Sequence, residues 1–304
     1  MARGGHRNRR PQSEEGLPRR ERRSLRLLRR PAGLFSLIFL ALCIFCALAA
    51  DRISPYDPYD PGQKDILHAL TGPSRRHPLG TDSFGGDLFS ALIHGARIAL
   101  IVGFTTGITV SLLGAVLGAA AAFFGGGVDR TLMFLVDVVM VLPGLPLMIL
   151  VATYIGGSYW IVVVLFTFLG WAGVCRMVRG RILSEKTVPY VEAARSYAAP
   201  RWRILFRHLL PSTYPLLAVT AARTAAGSVL AEAGLSFLGF GDPLAISWGK
   251  LLAEAQSQGA LLFGAWWWVL FPGLAVTLLA LSFINLGYAL EEVFNPRLRR
   301  GARC

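Results

Sequence analysis

The stretch "EAARSYAAPRWRILFRHLLP", residues Glu192 to Pro211, decides how this chain is read: it is dense in arginine, split by one proline and closed by another, within an otherwise oily sequence. At 100° per residue, Pro189–Ala198 reads as one short helix. Ala193, Tyr197, Tyr190, Ala194, Ala198 and Val191 share one face, and Arg195, Glu192 and Ser196 share the other. Pro200 suits the first turn of a second helix, where its missing N–H costs nothing. In that helix Trp202, Leu205, Phe206, Leu209 and Leu210 line one side, expected to face the protein's own apolar body. Arg201, Arg203, Arg207 and His208 line the other, Ile204 is the exception, and Pro211 ends the helix. Each helix is too short to be stable alone. The pair is expected to lie beneath a membrane, its alanine-rich bend open to close approach by another protein. A plainer reading stays open, in which the segment only anchors a loop at the interface.

The membrane follows from composition. Of 304 residues 54% are hydrophobic, the mean hydropathy is +0.51, and several apolar runs reach or exceed 18 residues. Spanning the hydrocarbon takes about 20 residues, and six runs qualify: 33–50, 97–124, 130–155, 158–176, 213–235 and 266–290. The fold class expected is an all-α polytopic membrane protein with six transmembrane helices.

A net charge of +13 would suit a nucleic-acid binder, but its distribution speaks against one. Segment 1–30 holds eleven arginines, 176–208 holds eight basic residues and the tail after Leu290 holds four. Loop 51–94 has four basic residues against six aspartates, and 236–265 has one lysine against two acids. Alternate loops are basic, the positive-inside signature, which puts both termini and the opening stretch in the cytoplasm. The layout expected is a basic cytoplasmic segment 1–30, a first transmembrane helix 31–50, an extracytoplasmic segment 51–94, a five-helix core 95–295 containing the loop 188–211, and a cytoplasmic tail 296–304. Ala47-Leu48-Ala49-Ala50 resembles a signal-peptidase site, but the apolar run is long for a cleaved leader, so a retained first span is expected.

The loop 51–94 is rich in Pro, Asp and Gly and reads as irregular with short elements; His77, Asp82 and Asp87 there lack metal-site spacing and are read as turn residues. Cys43 and Cys46 form a CxxC inside an apolar run, which reads as packing rather than chemistry. The second span carries Gly103, Gly107, Gly114 and Gly118 with Ser111 between them, a small-residue face expected to take another helix closely, with Val102 off that face. The third carries Asp137 and a kinking pair, Pro143 and Pro146. Asp137, Arg223 and Glu232 are the intramembrane charges, read as interhelical pairs or as lining of a route. Arg223 and Glu232, nine apart and about 180° around one helix, do not pair with each other.

On these residues the chain resembles a known family. "EAARSYAAPRWRILFRHLLP" looks like the EAA loop of bacterial ABC-importer permeases, matching at Glu192, Ala193, Ala194, Leu210 and Pro211, with Ala198 where glycine is usual. "HPLGTDSFGGDLFSALIHGARIAL" (77–100), "AEAGLSFLGFGDP" (231–243), "SWGKLLAEA" (247–255) and "NLGYALEEVFNPR" (285–297) resemble the second permease of dipeptide, oligopeptide and nickel importers, Gly86 standing where arginine is usual and Tyr288 where aspartate is. Only 1–30 lies outside the resemblance. It implies a type I ABC-importer permease fold whose loop docks on an ATPase through Glu192, Ala193, Ala194, Ala198, Pro200, Arg201 and Pro211. It also implies a second, non-identical permease, ATPase subunits below and an extracytoplasmic substrate-binding protein, in the cytoplasmic (inner) membrane of a bacterium or archaeon.

The sequence has no G-x-x-x-x-G-K-[ST], the loop whose backbone cradles ATP phosphates. ATP is therefore expected on partner subunits, with no cofactor, metal or catalytic residue on this chain. A rival class is an ion-coupled secondary transporter using Asp137, Arg223 or Glu232, but no matched inverted repeat is visible. Five His and five Met are scattered without clustering, which speaks against a metal path; the resemblance implies di- or oligopeptides as cargo, with nickel or another small solute the alternative.

Overall fold

In hydrocarbon no water satisfies the backbone, so long apolar runs close their hydrogen bonds internally as helices. The computed structural model describes residues 31–189, 191 and 200–294, and its regular elements are helical. The leader 1–30, the tail 296–304 and Glu192, Ala193, Ala194 and Ala198 lie outside the described residues.

In chain order the helices are α1 (Pro31–Leu48), α2 (Ala50–Ile53), α3 (Leu88–Phe124), α4 (Gly126–Val141), α5 (Gly144–Ile155), α6 (Tyr159–Glu185), α7 (Arg201–Ile204), α8 (Leu210–Phe237), α9 (Trp248–Ser257) and α10 (Trp266–Phe294). By length and composition α3, α6, α8 and α10 are able to cross a membrane, and the bent pair α4 and α5 makes up to five. α1 is apolar but short.

The segment 130–155, expected as one kinked span, is instead two helices bent by 79°. Pro143 lacks an N–H and pushes the residue before it out of helical geometry; Leu142 is extended, with ψ 128°. Pro146 falls in the first turn of α5, where the missing donor is harmless.

α3 is the spine, packed on α6 and α8; α8 packs on α10, and α1 lies against α3 and α10. The core joins Leu40 and Cys43 of α1 to Ala96 and Leu100 of α3, Val229 of α8, and Leu279 and Phe283 of α10. Asn285 of α10 donates to Ser36 Oγ of α1 at 3.1 Å.

The glycines of α3 form the close-packing face expected of them, and they serve two neighbours. A Cβ at Gly107 would lie 2.6 Å from the Ala221 carbonyl oxygen of α8. One at Gly118 would lie 2.5 Å from the Cys175 carbonyl oxygen of α6. Val102 lies off that face but is fully buried, packed with Met148, Val162 and Val163, because α3 is enclosed on more than one side.

Helix ends collect on two opposite faces. On one, the Trp267 indole donates to the Thr81 carbonyl at 3.3 Å, Trp248 donates to the Leu92 carbonyl at 2.8 Å, and a Cβ at Gly157 would overlap the Gly241 carbonyl at 1.9 Å. Segments 51–87, 156–158 and 238–265 therefore share one side. On the other, Lys186 Nζ donates to the Ala122 carbonyl at the end of α3. The 51–87 segment is irregular, with two short 3-10 turns. It is nailed down by Asp87, buried, which accepts from the Ser90 N–H at 2.8 Å and hydroxyl at 2.6 Å and meets His77 Nδ1 at 3.0 Å. Arg97 is held by the Ala47 carbonyl at 2.7 Å and by both oxygens of Asp51, and it keeps the Asp51 carboxyl below the usual carboxylate range.

Candidate coupling loop and intramembrane charges

Both ends of the arginine-rich stretch are fixed to the bundle. Val191 is fully buried in a cluster with Val178 and Ile182 of α6 and with Ile204, Leu205 and Leu209. The Pro200 carbonyl accepts from the N–H groups of Arg203 and Ile204 at 2.9 and 3.3 Å, so Pro200 stands just before the first turn of α7, which begins at Arg201.

Two sequence expectations fail here. Pro211 does not end the second helix. A wider π turn, Leu205–Leu209, in which the Leu210 N–H reaches back to the Leu205 carbonyl, joins α7 to α8 without a break. Pro211 then lies in the first turn of α8. An extra residue per turn accommodates the proline, which has no N–H to give and whose ring would clash with the carbonyl four residues back. Nor do Trp202 and Phe206 face the bundle: they are 59% and 63% exposed, while Ile204, Leu205 and Leu209 are buried. The buried face is rotated toward Ile204, taken in the sequence as the exception, and away from Trp202 and Phe206.

The three intramembrane charges separate. Asp137 on α4 pairs with Arg176 on α6. Nearer the start of α4, Asp129 receives both Nε and Nη2 of Arg179, the latter at 2.6 Å. Arg223 on α8 meets Glu291 on α10 at 3.0 Å and lies 5.3 Å from the centre of the Tyr288 ring. Glu232 is far from Arg223, as their spacing required; it is buried, 4% exposed, and accepts from the Ser236 hydroxyl at 2.7 Å. Around it packing is tight: a Cβ at Gly249 would lie 2.8 Å from Ser236 Cβ, and one at Gly241 2.3 Å from Ser236 Oγ.

Asp129, Arg176, Arg179 and Glu291 were missed as partners. For the first three the signal is complementary charge, acids on α4 and arginines on α6, but pairing them also requires knowing that these two helices are neighbours. None of these pairs assembles a nucleophile with a base, and no group of three metal-ligating side chains forms among the described residues.

Such a bundle positions charge between apolar membrane-length helices. Residues 111–300 match the family of binding-protein-dependent transport system inner membrane components, and residues 22–73 match the N-terminal TM domain of oligopeptide transport permease C. The chain belongs to this family, the ABC-importer permeases of the peptide group, as a multi-pass inner-membrane transport subunit rather than an enzyme. It is 36% identical over 273 residues to a putative peptide permease of Brucella suis, covering 90% of this chain and 89% of that one. It is 34% identical over 271 residues to the dipeptide transport system permease protein DppC of Bacillus subtilis, covering 88% and 82%. It is also 36% identical over 275 residues to the glutathione transport system permease protein GsiD of Pectobacterium atrosepticum, covering 90% of each. Among solved structures, inward-facing MetNI methionine ABC transporter chains share the fold, with TM-score 0.52 and 20% identity over 67% of this chain and 94% of that one.

Proposed function

We propose that this chain forms half of the translocation pathway of an ATP-driven peptide importer, beside a second, non-identical permease. The full chain then makes six spans, α1 and the α4–α5 pair included, with both termini and the 188–211 loop in the cytoplasm. The loop docks on ATPase subunits, which bind the ATP, through Glu192, Ala193, Ala194, Ala198, Pro200, Arg201 and Pro211; a substrate-binding protein delivers cargo on the opposite face. The observation that carries the reading is the unbroken course of α7, the π turn and α8. A pull on the loop passes straight into a membrane-crossing helix, as rigid-body switching between outward and inward access requires. The exposed Trp202 and Phe206 become part of the surface offered to the ATPase. Peptide cargo is supported by relatives named for peptides, dipeptides and glutathione. Reconstitution with the partner subunits tests it: labelled peptide should accumulate in vesicles only with ATP. Uptake driven by an ion gradient without ATP would instead establish the secondary-transporter reading.

A further inference from the structure

On the face carrying 51–87 and 238–265, a cleft of about 270 Å3 opens between residues 56–91 and 243–254. Asp57, Asp82 and Glu254 line it, and none of them forms an ion pair among the described residues. The two lysines of the lining point their ammonium groups at neutral partners rather than pairing with these carboxylates. Lys250 Nζ donates to the carbonyls of Pro243 at 2.6 Å and Ala245 at 3.4 Å, and Lys64 Nζ lies 5.7 Å from the Phe84 ring centre. Asp82 receives the N–H groups of Phe84 and Gly86 on Oδ1, both at 2.7 Å, which leaves Oδ2 for the cleft. Burial, with the Asp82 charge beside it, pushes the Glu254 carboxyl up although the Lys250 and Lys64 charges act the other way.

The same two stretches also leave large apolar side chains bare. Leu67 is 94% exposed, Leu244, which lines the cleft, 85%, and Ile66 74%. Apolar side chains exposed beside charged residues mark an interaction surface, and the carboxylates of this one fit a polar, charged partner. Charge says what kind of protein. In a chain of net charge +13, loops 51–94 and 236–265 together hold eight acidic against five basic residues.

We propose that this cleft receives a lysine or arginine carried on an apolar projection of the extracytoplasmic binding protein, with Glu254 as its principal counterion and Leu67 and Leu244 as the flanking contacts. The inference rests on the importer reading, which supplies such a partner. Carboxylates in a recess steer a basic partner and fix its register, while the exposed leucines add area that is desolvated only on docking.

The test is binding of the purified binding protein to the complete transporter in nanodiscs, with assembly and basal ATPase rate measured alongside. Glu254→Gln should weaken binding at least about tenfold and flatten its salt dependence, since a partly desolvated counterion is lost. Leu67→Ser, at a side chain too exposed to support the fold, should weaken it about threefold or more. Should Glu254→Gln fail to assemble, Leu67→Ser and Leu244→Ser decide alone. Wild-type affinity and salt dependence in Glu254→Gln, or wild-type affinity in both serine variants, overturns the proposal. If the wild-type transporter binds no such protein, the importer reading fails instead.

Discussion

Replacing Gly107 by leucine strikes a place where α3 and α8 meet on backbone atoms. Even the first added carbon would stand 2.6 Å from the Ala221 carbonyl oxygen, whereas ordinary contact begins at 3.4 Å. The helices must therefore part by about 0.8 Å, and a carbonyl in a helix cannot rotate away as a side chain would. A gap of that size forfeits about a quarter to a half of the dispersion energy of the atoms lining it, and overpacking by itself costs about 1–3 kcal/mol. Leucine should lie at the upper end, lowering the Tm of the purified complex by roughly 5 °C or more; Gly107→Ala should fall between leucine and wild type. The control is Val116→Leu, which adds bulk to the same helix at a side chain 57% exposed. Val102 cannot serve, being fully buried. Equal Tm, assembly yield and transport in Gly107→Leu and Val116→Leu would refute the argument that backbone contact at this glycine fixes the two helices.

Cysteines placed at Ser74 and Ser184 should label oppositely with a membrane-impermeant maleimide in intact cells; equal labelling sinks the proposed topology. Glu192→Lys, if this residue docks, should cost about 2–5 kcal/mol of ATPase association, leaving the permease inserted but uncoupled; normal co-purification and turnover would leave the loop a mere anchor. Burial raises the carboxyl of Glu254, so the folded state holds its proton to higher pH than the unfolded one, and this residue's contribution to stability falls as pH rises from the ordinary glutamate value through the raised one. Tm against pH should be flatter across that window in Glu254→Gln; an identical slope in both proteins removes the burial argument. Arg223→Glu should impair assembly and Glu291→Arg should restore it in the double variant, because the pair bridges α8 and α10; failure of the exchange to rescue means that the pair does not act as a unit.

Length and charge made much of the fold legible. Apolar runs announced α3, α6, α8 and α10, and the small-residue spacing of Gly103 to Gly118 announced close packing on α3. What escaped was non-periodic. Pro143 is a single residue, yet it turns a 26-residue run into two helices at 79°. Pro211 was read as a stop because proline usually stops a helix, whereas a π turn lets the chain continue. Trp202 and Phe206 are on the surface because the face that packs on the bundle centres on Ile204, Leu205 and Leu209, and which side of an amphipathic turn is covered depends on its neighbours. The partners of Asp137 and Arg223 needed knowledge of which helices are neighbours, which no single segment contains.

The near-contact of Gly157 with Gly241 bears on how the chain is made. α4 enters the translocon carrying Asp137 well inside the helix, and a charge at mid-membrane costs about 2.5–3.5 kcal/mol on insertion scales. The counterion of Asp137, Arg176, arrives only with α6. The seat for the turn between α5 and α6 arrives later still, with Gly241, 84 residues beyond Gly157 (241 less 157). At about 5–20 residues per second, the ribosome leaves that turn without its seat for roughly 4–17 s. During that interval the bent pair is held only by its neighbours in order of synthesis, and this is when a membrane chaperone or a quality-control protease has its opportunity to engage it.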